Sequence, residues 1–323
     1  MSEQQTRNKA VGPYFDPQVK AILDAQPDRG VIGAATLEAA RSARLLLAQQ
    51  VVLSNDVTRS DRTVPGPEDN PDLRLRIHQP AGEHNSTAVP GLFWMHGGGY
   101  VAGSPEQDDL RFDRWAPRFG LIGACVEYRL GPEHRYPAGL EDCYAGLSWL
   151  KENGSELGID TDRIGIGGPS AGGGMAAALA LLVRDRGEFE IDYQLLIYPM
   201  IDDTQTSVTA NLDVPIWNPE SNEFGWKSYL GDLFGGEEIP YYAAPARAGD
   251  LAGLPPTYIM VGTLDGFADE DINYAMRLNH AGVEVELHVY PGAPHGFEGF
   301  APGAAVARQA RKDMNNWLGR QLA

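Results

Sequence analysis

The chain has 323 residues, 43% of them hydrophobic, enough at this length for one α/β domain with a large buried core. Acids outnumber bases by 44 to 26, and the formal net charge of −18 argues against nucleic acid or an anionic membrane surface as a partner. No signal-peptide pattern is visible in Met1-Ser2-Glu3-Gln4-Gln5 and no apolar run is long enough to span a bilayer, so a cytoplasmic protein without stable membrane association is expected.

Residues 1–12 are polar and lack periodicity, which predicts disorder there. Helical spacing follows over residues 15–25 and 36–53, the second with Leu37, Ala40, Leu45 and Leu47 as an apolar stripe. Strict alternation of Leu73, Leu75 and Ile77 with Arg74, Arg76 and His78 predicts a half-exposed strand. Short apolar runs then alternate with helical stretches. The runs cover residues 91–95, 121–128, 164–166, 193–198, 258–261 and 283–290; the helices cover 140–151, 171–184, 271–281 and 304–322. This rhythm predicts a mostly parallel sheet covered by helices on both faces. The rhythm breaks over residues 200–254, a segment rich in aromatics. Insertions of that size tend to pack over the carboxyl ends of the strands. We therefore expect a single domain over 1–323, with a helical cap formed by about 1–55 and 201–250. Cys125 and Cys143 have no metal-ligand spacing and are expected to be buried free thiols.

Gly168-Pro169-Ser170-Ala171-Gly172 follows one apolar run and precedes a helix. This is the context of a nucleophile elbow, in which a sharp turn presents a serine hydroxyl at the top of the sheet. A phosphate loop is the competing reading, but no Lys-Ser/Thr follows and GxGxxG is not completed. His96-Gly97-Gly98-Gly99 follows an earlier run. Consecutive glycines let backbone N–H groups turn toward a ligand. Gly97, Gly98 and Ala171 are the candidate oxyanion donors, and Ala171 also opens a helix, where the dipole favours negative charge. One such donor is worth roughly 3–4 kcal/mol of barrier. His96 is expected to brace the loop.

A serine nucleophile needs a base, and in this arrangement the chain order is serine, acid, histidine. Only His280, His288 and His295 follow Ser170 with room for an acid between. His280 lies in a helix and His288 in a strand, whereas His295 lies just past the last strand, where a triad base belongs. Asp265 is the first acid beyond the preceding strand. Asp269, Glu270 and Asp271 are its rivals, and helix capping accounts for them. The candidate catalytic residues are thus Ser170, Asp265 and His295. No HExxH or His/Cys cluster is present, and the chemistry requires neither metal nor cofactor.

With these residues in place, the chain resembles the hormone-sensitive-lipase-like branch of the α/β-hydrolases. The likeness runs from about Asp72 to the C-terminus. It rests on His96-Gly97-Gly98-Gly99 with Gly103-Ser104, on Tyr128-Arg129-Leu130-Gly131-Pro132-Glu133, on Gly253-Leu254-Pro255-Pro256-Thr257 and on His295-Gly296-Phe297. Residues 217–231 and Tyr241-Tyr242-Ala243-Ala244-Pro245 look like the bacterial heroin-esterase-like members. The resemblance implies an α/β-hydrolase fold and puts the family's triad on Ser170, Asp265 and His295. It further implies hydrolysis of a small carboxylic ester through an acyl-enzyme, and, since family members are often dimers, a homodimer. Two positions depart from the pattern. Pro169 stands where the family usually has an acid or threonine, and Gly266-Phe267-Ala268 replaces a Pro-Leu-Arg-like run. Tyr100, Trp217, Phe224, Phe267 and Phe297 are the candidate pocket wall, and the aromatic insertion suggests a small, closed pocket for short acyl chains. The alternatives are an amidase or peptidase, and a non-catalytic small-molecule-binding protein on the same scaffold; such proteins typically lack the histidine.

Overall fold

The computed structural model describes residues 14–26, 30–82 and 88–323. The disorder expected over residues 1–12 lies outside them. Two helices, α1 (Pro17–Asp24) and α2 (Leu37–Gln49), precede three strands, β1 (Val57–Val64), β2 (Leu73–Pro80) and β3 (Val89–Met95). The chain continues through α3 (Asp109–Phe119), β4 (Ile122–Glu127), α4 (Ala138–Asn153), β5 (Ile159–Pro169), α5 (Ala171–Arg186) and β6 (Gln194–Ile197). After α6 (Pro219–Leu230) come β7 (Thr257–Leu264), α7 (Ala268–His280), β8 (Val285–Pro294), α8 (Phe297–Phe300) and α9 (Ala305–Gln321).

Among the described residues the strands form one eight-stranded sheet in the order β1-β2-β4-β3-β5-β6-β7-β8. β2 is antiparallel to both β1 and β4, and every other pairing is parallel. Alternation within each strand feeds two cores. Phe93, Met95, Ile164 and Ile166 face α4, α5 and α7, while Leu92, Trp94, Leu195 and Ile197 face α1, α3 and α9. Covered on both faces, the central strands read as continuous apolar runs. α5 is buried along its first thirteen residues, from Ala171 to Val183, which explains its run of glycine and alanine: a helix enclosed on all sides packs closely only with small residues.

Several expectations are corrected in detail. β5 and β8 extend further than their apolar cores, and β8 reaches Pro294, directly before His295. β1 has no apolar alternation to announce it, since its burial is confined to Val57 and Val64 at its ends. β2 was expected to face water with its polar side. Instead His78 is fully buried, and Arg76 and His78 lie under α3, hydrogen-bonded to Asp109. α2 stops at Gln49, and of its expected apolar stripe only Leu37 is buried; Leu45 and Leu47 are exposed. The acids expected to cap α7 do not cap it. Phe267 is the N-cap residue, and Asp269, Glu270 and Asp271 occupy the first turn. The free thiols Cys125 and Cys143 are both buried.

Candidate active site

Parallel strands bring distant loops to one edge. β3 ends at Met95, β5 at Pro169, β7 at Leu264 and β8 at Pro294, and all four run the same way. His96 and the glycines after it, Ser170, Asp265 and His295 therefore emerge together at the carboxyl edge, where open α/β sheets bind ligands.

Ser170 sits between β5 and α5 with φ 57° and ψ −125°, a strained backbone for a residue with a side chain. The turn is held by hydrogen bonds from Ser170 N to Ile197 O at 2.8 Å and from Met200 N to Ser170 O at 3.0 Å. Gly172 must be glycine, because a Cβ there would lie 2.1 Å from Met95 O. Pro169 pairs with Ile197 of β6, and Ser170 N points to β6, so the missing N–H of position 169 is on the β3 side, where the pairing of β3 with β5 ends at Gly167.

His295 Nε2 lies 2.9 Å from Ser170 Oγ, and Nδ1 lies 2.8 Å from Asp265 Oδ2. Asp265 is fully buried, and its second oxygen accepts from Phe267 N at 3.1 Å. The imidazole is held edge-on between Tyr198, at 4.6 Å, and Phe267, at 5.1 Å. The rival histidines lie elsewhere: His280 ends α7, and His288 pairs with Glu286 within β8.

Gly97 and Gly98 face the same cleft as Ser170. At Gly98 φ is 139°, and a Cβ would meet Ala102 O at 1.9 Å, so this turn admits only glycine. Ala171 is the first residue of α5, where the helix leaves its N–H unpaired. His96 braces the loop, donating from Nδ1 to Gly97 O at 3.1 Å and stacking on Tyr128 at 4.3 Å. Complete burial lowers its pKa to about 4, so it is neutral near pH 7.

The cleft above Ser170, from α2 to Phe300, has a volume of about 850 Å³ in all. α2 forms one wall through Ala40, Leu47 and Ala48, and Trp217 closes another. Of the other aromatic candidates, Phe267 lines a small neighbouring cavity that Trp217 separates from the cleft. Tyr100, Phe224 and Phe297 are not in the cleft wall. Tyr100 stacks on Tyr229 and donates to Met200 O, Phe224 packs beside Val101 and Ala102, and Phe297 packs on Tyr290. Their rings satisfy the core instead.

The cleft also holds residues that were not anticipated, among them Tyr198, Asp108, Arg111 and Glu298. Tyr198 has a readable signal, since it is the first residue beyond β6 at the functional edge, and its φ of 38° marks strain there. Its hydroxyl donates to both Glu298 oxygens at 2.9 Å, and burial keeps that phenol neutral well above its usual range. Arg111 joins Asp108 through Nε at 3.0 Å and Glu298 through Nη2 at 3.3 Å. Burial raises the Asp108 carboxyl above its usual pKa, against the pull of Arg111.

Comparison with known proteins gives this geometry its context. Residues 92–299 match the model of a family described as having the alpha/beta hydrolase fold. The chain is 35% identical to Esterase LipI of Mycobacterium tuberculosis over 300 residues, 92% of each chain. It is 36% identical to Carboxylesterase NlhH of the same organism over 302 residues, 91% of this chain and 93% of that one. Among solved structures, a bacterial heroin esterase superposes with a TM-score of 0.90 at 38% identity, covering 96% of this chain and 98% of its own. No helix among the described residues is long and apolar enough to cross a membrane. The fold, the matched family and the extent of these likenesses agree, and the chain belongs to the alpha/beta-hydrolase family, beside its bacterial esterases and carboxylesterases.

Proposed function

We propose that this carboxylic ester hydrolase acts on short-chain acyl esters, with Ser170 as nucleophile, His295 as general acid and base, and Asp265 as the group that orients it. The observation that carries the reading is the unbroken chain from Ser170 Oγ through both nitrogens of His295 to Asp265, with links of 2.9 and 2.8 Å. Ser170 Oγ adds to the ester carbonyl as His295 Nε2 takes its proton. The oxyanion is held by the N–H groups of Gly97, Gly98 and Ala171. Collapse breaks the bond to the alcohol oxygen, which leaves with the proton from His295. Water, deprotonated by His295, then adds to the acyl-enzyme and releases the acid.

In this reading about 1–55 and 201–250 form the cap, of which residues 1–13 and 27–29 lie outside the described residues, and the cleft contacts of α2 and Trp217 support it. Buried, unpaired thiols at Cys125 and Cys143 support a cytoplasmic location. A small-molecule ester is the partner, and a homodimer without stable membrane association belongs to the same proposal, on the resemblance to family members that dimerise. Sedimentation velocity measures that assembly.

Ser170→Ala is expected to lower ester hydrolysis by about a million-fold and to abolish labelling by an organophosphonate. Labelling that persists in the variant would overturn the assignment of the nucleophile. A series of p-nitrophenyl esters from acetate to palmitate should peak at the short chains. A matched anilide should be cleaved far more slowly than its ester, and equal rates would favour an amidase.

A further inference from the structure

Three residues with side chains carry a positive φ around the site: Ser170 at 57°, Tyr198 at 38° and Tyr100 at 63°. Such backbone persists only where its surroundings hold it. Here all three meet one short strap, residues 199–202, that follows Tyr198 at the end of β6. Met200, fully buried, stands at its centre. Met200 N donates to Ser170 O at 3.0 Å. That carbonyl belongs to the same planar peptide as the Ala171 N–H, so the bond also sets the direction of this oxyanion donor. On its other side Met200 O accepts from the Tyr100 hydroxyl at 2.7 Å. Tyr100 lies inside the turn in which Val101 N and Ala102 N return to Gly98 O, at 3.2 and 3.0 Å. The main chain of one residue is thus bonded to both halves of the oxyanion hole. The packing leaves no slack, since a Cβ at Gly174 would lie 2.0 Å from Met200 O and 2.2 Å from the Tyr100 hydroxyl oxygen.

The strap has an anchor of its own. Ile201 N and Asp202 N both donate to Glu270 Oε1, at 2.9 and 3.2 Å. Glu270 stands in the first turn of α7, just past Asp265, and is 7% exposed. A carboxyl group buried behind the triad acid costs free energy, and His295 is already met by Asp265 at 2.8 Å. What Glu270 supplies is an acceptor oxygen. Without it the N–H of the buried Ile201 is left unpaired, and the strap must shift to find another partner. A shift of the strap moves Met200, and Met200 moves the donors on both sides of the oxyanion, whose distances decide their worth.

We infer that Glu270 is a positioning residue for the oxyanion hole: through residues 200–202 it fixes the Ala171 N–H and the turn that carries the Gly97 and Gly98 N–H groups. The inference rests on the ester-hydrolase reading, with those three groups as the donors.

The test uses Glu270→Ala, Glu270→Gln and Tyr100→Phe, with active sites counted in each by labelling Ser170 to completion with an organophosphonate. Two quantities are measured per active site, kcat/KM for p-nitrophenyl butyrate and Ki for butyl trifluoromethyl ketone. Ser170 Oγ adds to the ketone carbonyl and its proton passes to His295, which leaves an oxyanion in the hole, so Ki reads the donors directly. Glu270→Ala should lower kcat/KM about a hundred-fold, the effect of misplaced donors, and raise Ki by the same factor. Glu270→Gln keeps a carbonyl acceptor and should recover most of that loss. Tyr100→Phe keeps the ring stacked on Tyr229 but frees Met200 O; it should lower kcat/KM about ten-fold, the effect of one hydrogen bond, with an equal rise in Ki. An unchanged Ki in Tyr100→Phe, a fall in kcat/KM of Glu270→Ala without a matching rise in Ki, or a Glu270→Gln as impaired as Glu270→Ala overturns the inference alone. A wild-type protein that neither hydrolyses the ester nor binds the ketone overturns the ester-hydrolase reading and the inference with it.

Discussion

Asp265 never touches Ser170, yet in the proposed mechanism it decides what the serine can do. Its carboxylate receives His295 Nδ1 and the Phe267 N–H, which leaves Nε2 free to accept the Ser170 proton. Asp265→Asn can present its amide to Nδ1 and reverse the tautomer, so we expect kcat to fall roughly ten-thousand-fold while the fold persists. Matched circular dichroism with unchanged kcat would remove Asp265 from the mechanism. These residues were legible because each carries a signal in the chain itself: a GxSxG motif, and an acid and a histidine directly past apolar runs. Pro169 was legible only as a departure. Its setting depends on where β3 stops pairing with β5, which no local pattern encodes. Arg111 and Glu298 were illegible for a similar reason. They lie 187 positions apart in the chain, and each alone reads as an ordinary helix residue.

At the scale of the elements, what sequence pattern misses is polar structure that is buried with partners. The polar face of β2 reads as half-exposed, but α3, a helix that the strand-helix rhythm did not announce, covers it. Arg76 sends Nε and Nη2 to the two oxygens of Asp109 at 2.7 Å, and His78 adds a third contact at 2.8 Å. Burial raises the Asp109 carboxyl, but hydrogen bonds from Arg76 and His78 outweigh it and hold the pKa at about 2. Asp109→Ala strands both partners, and we expect a loss of about 3 kcal/mol in urea unfolding at neutral pH. The sign of the pH dependence follows from the lowered pKa. The contribution of Asp109 is complete above the unfolded carboxyl value of about 4 and is lost as pH falls toward 2. The gap between wild type and variant should therefore close in acid; a gap independent of pH would show that packing, and not charge, holds α3 to β2.

Across the whole molecule, the carboxyl edge that assembles the site also gathers acids that no base neutralises. Behind Asp265 lie Glu270 and Asp271, both buried in the first turn of α7. Glu270 accepts from Ile201 N and Asp202 N, which ties residues that follow β6 to α7. Asp271 has no hydrogen-bond partner for either oxygen among the described residues. Burial, together with the neighbouring carboxylates, raises both acids well above their usual range. The folded protein therefore holds the proton on Asp271 more tightly than the unfolded chain, which ionises it near pH 4. Above that pH the unfolded state binds fewer protons than the folded state, so this site makes stability fall as pH rises. The overall charge of −18 acts in the same direction. Glu106 and Asp109, both with pKa values lowered to about 2, act in the opposite direction at low pH. The thermal midpoint should accordingly pass through a maximum in mild acid and decline toward pH 8. Asp271→Asn keeps a neutral group of the same size at all pH values. Its midpoint relative to wild type should rise as the pH climbs above 4 in differential scanning calorimetry. A constant difference across that range would mean that Asp271 is ionised in the folded state and finds its compensation elsewhere in α7.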